Sequence, residues 1–387
     1  MSSFQKVYLV DICRPKQWKV IPASKQLESG YPVYGANGKI GFYSEYTHEI
    51  PTLMITCRGA TCGNVHISEP KSYINGNAMA LDNLKEDLVD INYLNRFFQK
   101  RGFADVISGS AQPQITRTGL EKITIPLPPL EEQKRIAAIL DKADALRRKR
   151  EKASALTDDL LRSVFLDMFS DPVANPKGWR VERLNNLSTK IRSGSTPVGG
   201  SKVYVEKGVV FLRSQNVWRK KLELDDVVYI DEATHRKMNN TSLKNGDILI
   251  TKTGRINTEN SSLGRAAFFL GEDGSANING HVYLVRPKPE VLNEFVLYII
   301  TTKEYRDYIR SVCVGGIDKR QINKEHLEQF PIIYPPIEDQ QKFIERLQVI
   351  EKQKLALNKQ FRLANNMFSS LFQRAFRSEL TPQKGAA

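Results

Sequence analysis

Cysteine is scarce in this 387-residue chain: Cys13, Cys57, Cys62 and Cys313 are the four, and only Cys57 and Cys62 lie near each other. No second close pair and no histidine pair completes a zinc set, so all four read as free thiols. Long apolar runs are absent as well. The longest, residues 295–300, falls far short of the ~18–20 residues that span a bilayer. The opening MSSFQKVYLVDICRPK has no positive head followed by an apolar stretch. It is no signal peptide, and a cytoplasmic protein is expected.

Catalytic signatures are missing too. There is no GxxxxGK[ST] loop, the nearest approach (residues 35–39, GANGK) being too short, and no HExxH. That excludes an ATP-driven motor and a zincin. The five histidines, His48, His66, His235, His281 and His326, have no Ser or Cys elbow beside them. Two Pro-Pro pairs occur, as Leu127-Pro128-Pro129-Leu130 and Tyr334-Pro335-Pro336-Ile337. Both lack the amide or carboxylate, and the aromatic, with which an adenine-methylating loop holds its base. No glycine-rich cofactor loop follows a strand. No catalytic residue, metal ligand or cofactor is therefore assigned to this chain, and no enzyme activity is expected of it.

What the chain has in excess is positive charge, a formal +14 from 57 Lys+Arg against 43 Asp+Glu. Such a surplus favours a polyanion, nucleic acid before an acidic membrane surface. With 41% hydrophobic and 26% charged residues, the chemistry is that of a globular protein.

The chain also repeats itself. Pro128-Pro129-Leu130-Glu131-Glu132-Gln133 aligns with Pro335-Pro336-Ile337-Glu338-Asp339-Gln340, an offset of 207. Without a gap the same offset pairs Gly109 with Gly316, Gln114 with Gln321, Ile115 with Ile322 and Leu120 with Leu327. Downstream it pairs Leu140 with Leu347, Leu156 with Leu363, Ser163 with Ser370, Phe165 with Phe372 and Phe169 with Phe376. So long a period means duplicated domains rather than a solenoid.

Each half closes on about 40 residues with helical marks. The prolines mark the start, and the acidic residues after them suit the positive end of the helix dipole. In the second copy Phe343, Leu347, Ile350, Lys354, Leu357, Phe361, Ala364, Phe368, Leu371 and Ala375 alternate steps of four and three. That is a heptad seam. The first copy is looser: Ile136, Leu140, Ala143 and Leu146 lead in, Ala153, Leu156, Leu160 and Val164 lead out, and the basic run Arg147-Arg148-Lys149-Arg150 interrupts them. The two seams are expected to pair antiparallel as a coiled coil, a rod of roughly 60 Å matching roughly 17 base pairs of B-DNA.

The remaining halves are mixed. Strands are expected near residues 52–57, 209–213, 247–251 and 282–286, and helices over 91–101 and 293–310. The fold class is α+β: two similar globular domains and two long helices, with a pseudo-twofold internal duplication. The expected boundaries are 1–126, 127–174, 175–333 and 334–387. Both globular halves carry a strand, a cationic glycine turn (Arg58; Lys252) and then an Asn-Gly turn (Asn75 and Asn77; Asn279 and His281). Arg forks onto guanine, Asn or Gln onto adenine, and Lys onto phosphate. Arg213, Gln215, Asn216, Arg255, Arg265, Lys319 and Arg320 have the same character and join the candidate DNA-binding set. The coiled-coil or partner interface is expected at Ile136, Leu140, Leu156, Leu160, Phe343, Leu347, Ile350, Leu357, Phe361, Phe368 and Leu371.

The pattern resembles the specificity subunits of type I restriction-modification systems. The phrase that carries the resemblance is Ile125-Pro126-Leu127-Pro128-Pro129-Leu130-Glu131-Glu132-Gln133-Lys134-Arg135-Ile136. Its second copy departs by reading Ile332-Ile333-Tyr334 before the prolines. The resemblance implies that each target-recognition domain reads one half of a bipartite, asymmetric site on double-stranded DNA. It implies that the helices set the gap and dock two modification subunits. Those subunits hold S-adenosylmethionine; restriction subunits, up to two where they join, hold ATP and Mg. No membrane partner is implied. Two other readings compete: a coiled-coil scaffold with nonspecific polyanion or membrane-surface binding, and a stand-alone methyltransferase or nuclease.

Overall fold

The computed structural model describes residues 4–109, 112–256, 258, 260–316 and 318–376. The chain divides into two compact units, one built on residues up to 153 together with those from 356 on, the other on residues 154–355.

In the first unit, strands Arg14–Gln17, Ala78–Asp82, Leu53–Thr56 and Val65–Ile67 form, in that order, an antiparallel sheet. The central strand Leu53–Thr56 is buried throughout, which explains its run of apolar residues without alternation. A second sheet joins Gly38–Tyr43, Tyr31–Gly35 and Tyr73–Ile74, the last pair parallel. Helix Ile91–Arg101 starts where Asp90 accepts from the Tyr93 N–H at 2.8 Å, an N-cap. It buries Tyr93, Leu94, Phe97 and Phe98.

The second unit repeats this plan. Its antiparallel sheet orders Ser188–Ser193, Val282–Pro287, Ile248–Thr251 and Ala266–Phe268. Its second sheet orders Tyr204–Val205, Val228–Ile230, Val209–Leu212 and Ala276–Ile278, again ending on a parallel pair. The correspondence extends to single hydrogen bonds. The Leu9 N–H donates to the Ile123 carbonyl and the Leu184 N–H to that of Phe330, both at 2.9 Å. The buried amides of Gln133 and Gln340 donate to the carbonyls of Pro128 and Pro335, both at 2.8 Å.

One expected helix is two. Residues 293–310 break into Asn293–Ile300 and Lys303–Val312. The Thr301 hydroxyl donates back to the Leu297 and Tyr298 carbonyls, and the Thr302 hydroxyl caps the next helix by accepting from the Tyr305 N–H. Hydroxyl side chains that compete for backbone partners favour such a break.

The long helices run over Leu130–Phe169 and Ile337–Ala375, and each contributes a segment to each unit. In the first unit Ile136, Ala137 and Leu140 share one core with Phe372 and Ala375, and Arg150 donates to the Gln360 carbonyl at 3.0 Å. In the second, Phe165 and Phe169 meet the Phe343 ring at 5.3 and 5.7 Å, and Lys354 pairs with Asp158 at 2.5 Å. Within each unit the segments are therefore antiparallel. On the second helix Phe343, Leu347 and Ile350 are buried, and Leu357, Phe361, Phe368 and Leu371 are half-buried.

The first helix corrects the expected seam. Leu156 and Leu160 are 53% and 48% exposed, whereas Thr157, Leu161 and Phe165 are buried. After the basic run the buried stripe moves by one residue and continues in steps of four. A straight helix of 3.6 residues per turn drifts from a strict 3.5 repeat, and the aromatic core of the second unit fixes the new register.

Candidate nucleic-acid interface

In the first unit four segments converge at one end of the antiparallel sheet, where the central strand Leu53–Thr56 runs out. The Cys57 N–H donates to the Asn77 carbonyl and the Ile115 N–H to that of Cys57, both at 3.0 Å. The Gly59 N–H reaches the Pro113 carbonyl at 3.1 Å. Gln17 Nε2 donates to the Gly76 carbonyl and to Cys57 Sγ, both at 3.0 Å. Burial pushes the Cys57 thiol up, so it stays neutral. A cavity of about 690 Å³ opens here, lined by Arg58, Gly59, Ala60, Asn77, Gln112, Pro113 and Gln114. Among the described residues no carboxylate lines it.

The second unit builds the same junction. The Lys252 N–H donates to the His281 carbonyl and the Ile322 N–H to that of Lys252, both at 2.9 Å. Thr253 faces Gln321 as Arg58 faces Gln114. Lys252 is turned under the surface: its Nζ donates to Ser193 Oγ at 3.0 Å and lies over the Tyr283 ring at 4.9 Å. Burial lowers its pKa. Arg255, Lys319 and His281 are exposed, and Asn279 and Arg320 half-buried; Arg255 pairs with Asp318 at 3.2 Å.

Three polar residues of the candidate set are turned inward instead. Asn75 is buried and its amide donates to the Ile21 carbonyl at 3.0 Å. Asn216 is buried, accepting from the Arg213 N–H at 2.9 Å and donating to the Glu223 and Asp226 carbonyls. Arg265 is buried, stacks on the Trp218 ring at 3.8 Å and donates to the carbonyls of Ser261 and Asn260. In each case a buried polar side chain has been claimed by nearby backbone, as burial requires. Arg213 and Gln215 fold onto Asp226, at 3.1 and 2.7 Å.

Reasoning from sequence passed over Gln17, Gln112 and Gln114 of the first junction and Ser193 of the second; Thr253 lies in the expected cationic turn, and Gln321 follows Lys319 and Arg320, expected to grip the backbone. The pairing of Gln114 with Gln321 at the 207 offset carried that signal. Among the described residues no group of His, Cys, Asp or Glu could hold a metal ion, and no helix is long and apolar enough to cross a membrane.

Comparison with known proteins is consistent across sequence and fold. The family described as "Type I restriction modification DNA specificity domain" matches residues 1–155 and again 176–364. The StySPI specificity subunit of Salmonella potsdam is 23% identical over 329 residues, 77% of this chain and 67% of that one. The putative MjaX specificity subunit of Methanocaldococcus jannaschii is 28% identical over 277 residues, 67% of this chain and 60% of that one. The putative S.HindORF215P specificity subunit of Haemophilus influenzae is 24% identical over 352 residues, 86% and 83% of the two chains. Among solved structures, the type I S subunit from M. genitalium superposes with a TM-score of 0.60 at 15% identity, covering 97% of this chain and 96% of that one. A structure from work on assembly and conformational transition of the type I R-M system gives 0.57 at 17% identity, covering 98% and 99%. These two show the fold: long packed helices with two β-rich globular domains. With the family matched over both halves, the chain belongs to the specificity-subunit family of type I restriction-modification systems, whose members are non-catalytic components.

Proposed function

We propose that each globular domain reads one half of a bipartite, asymmetric site on double-stranded DNA, and that the paired helices set the gap between the halves and dock two modification subunits. The observation that carries this reading is the junction built twice on the same backbone hydrogen bonds with different side chains: Arg58 and Asn77 in one, Thr253 and His281 in the other. One frame with two residue sets is what recognition of two different half-sites requires. Domain boundaries at 126, 174 and 333 follow, and the helices of 40 and 39 residues give a spacer of about 60 Å. The net charge of +14 supports phosphate contacts.

The chain supplies recognition, and the chemistry belongs to its partners in the cytoplasm. S-adenosylmethionine sits on the modification subunits; ATP and Mg sit on restriction subunits where these join. A genome-wide adenine-methylation map, with and without the gene and with the modification subunit expressed, tests this. Loss of one split motif with a fixed gap is expected. An unchanged map under those conditions contradicts the reading.

A further inference from the structure

Resting on that reading, we propose that the four-segment junction is the base-reading site of each head, and that its copy in the first head grips a purine edge, guanine through Arg58. Around that cavity stand Arg58, Asn77, Gln112 and Gln114. Among the described residues none of the four side chains is engaged by a hydrogen bond or ion pair, while other cations of this head are: Arg117 with Glu121, Arg101 with Asp105 and Lys39 with Glu69. Leaving a guanidinium and three amides without such partners, beside a cavity that no described carboxylate lines, provides donors and acceptors for an outside ligand. Their chemistry selects its class. Arg forks onto the O6 and N7 of guanine, and Asn or Gln onto the N6 and N7 of adenine.

The frame beneath them is rigid. Backbone bonds from Cys57 to Asn77, from Ile115 to Cys57 and from Gly59 to Pro113 lock three segments together, and Gln17 ties in the fourth. Side chains fixed on such a frame can discriminate bases; swinging surface cations can only find phosphate.

The second head differs at this point. Its cation stands one residue earlier, at Lys252, and is held by Ser193 and Tyr283. Thr253 occupies the place of Arg58, and His281 that of Asn77. The two heads therefore read different bases from one geometry.

The test uses the chain assembled with its modification subunits, mapping the methylated motif for wild type, R58T and the double variant Q112A/Q114A. Because Arg58 and Gln114 are exposed, the thermal midpoint of each variant should match wild type and serves as the folding control. R58T is expected to relax one position of one half-site by about tenfold or more, with the other half-site and the gap unchanged. The double variant should relax a neighbouring position of the same half. A motif unchanged in all variants overturns the site while leaving the head as a DNA reader. Uniformly weaker binding to every sequence, with a smaller salt slope, makes Arg58 a phosphate anchor and also overturns it. A wild-type complex that binds no DNA at low salt overturns the functional reading, and this site with it.

Discussion

The two heads share a scaffold but hold it together differently. Strand partners match residue for residue: Met54 faces Ala80 as Leu249 faces Leu284, and Arg14 faces Asp82 as Lys190 faces Arg286. Yet Asp82 and Arg286, at the same place, carry opposite charge. In the second head Arg286 forms a two-pronged pair with the fully buried Asp247, both contacts at 2.7 Å; the bond to Asp247 pushes the arginine pKa up. In the first head Asp82 instead accepts from Trp18 Nε1 at 3.2 Å and meets His48 Nε2 at 2.9 Å. Apolar strand faces and the backbone ladder define the domain. The polar link between strands needs only to satisfy its own hydrogen bonds, so it is free to change identity.

The sharpest way to break the comparison is Asp247→Ala. It strands a partly buried guanidinium and should cost about 3–5 kcal/mol, whereas Asp82→Ala, losing hydrogen bonds at a half-buried site, should cost about 1–3 kcal/mol. Denaturant titration of the two variants checks the order, and equal losses would argue against different linkages.

A second difference lies where each head runs into the long helix that follows it. Gln133 not only donates to Pro128 and Leu88 carbonyls but also accepts from the Asp90 N–H at 2.9 Å. Its counterpart Gln340 donates to Pro335, and its Oε1 has no partner among the described residues. Gln133→Ala should therefore cost about 1–3 kcal/mol and Gln340→Ala less, measured the same way. The reverse order would mean that the duplicated glutamines do not differ as their bonds indicate.

The third and smallest effect is lost in acid. Asp144 is buried on the first long helix; burial alone would raise its carboxyl, but the guanidiniums of Arg147, Arg148 and Arg96 outweigh this and hold it below the usual carboxylate range. Arg96 lies on helix Ile91–Arg101, at 3.3 Å, so the pair fastens that helix. With the folded pKa below an unfolded value of about 3.9, the stabilisation is present above about pH 4 and lost as pH falls through the folded pKa. Asp144→Asn should be less stable than wild type at pH 7, with the gap closing below about pH 4. A gap independent of pH would remove the carboxylate from the account.

The duplication, the long helices and helix Ile91–Arg101 were legible in the sequence because each rests on a repeated or periodic pattern. Junction residues were legible only in part. Arg58 and Asn77 were found from the turn, but Asn75, Asn216 and Arg265 have the same local character and turn inward. Asn216 and Arg265 turn onto carbonyls within ten residues of themselves, whereas Asn75 finds its carbonyl at Ile21, far along the chain, which no local pattern encodes. The shift from Leu160 to Leu161 on the first helix has a similar origin, in an aromatic core supplied by Phe295, Tyr298 and Phe343.

The central claim is that two heads read two half-sites independently. Replacing residues 1–125 with the corresponding head of another family member, and mapping adenine methylation in the assembled enzyme, tests it most directly. One half of the motif should change while the other half and the gap stay fixed. A change in both halves, or an altered gap, would contradict modular reading by the duplicated domains.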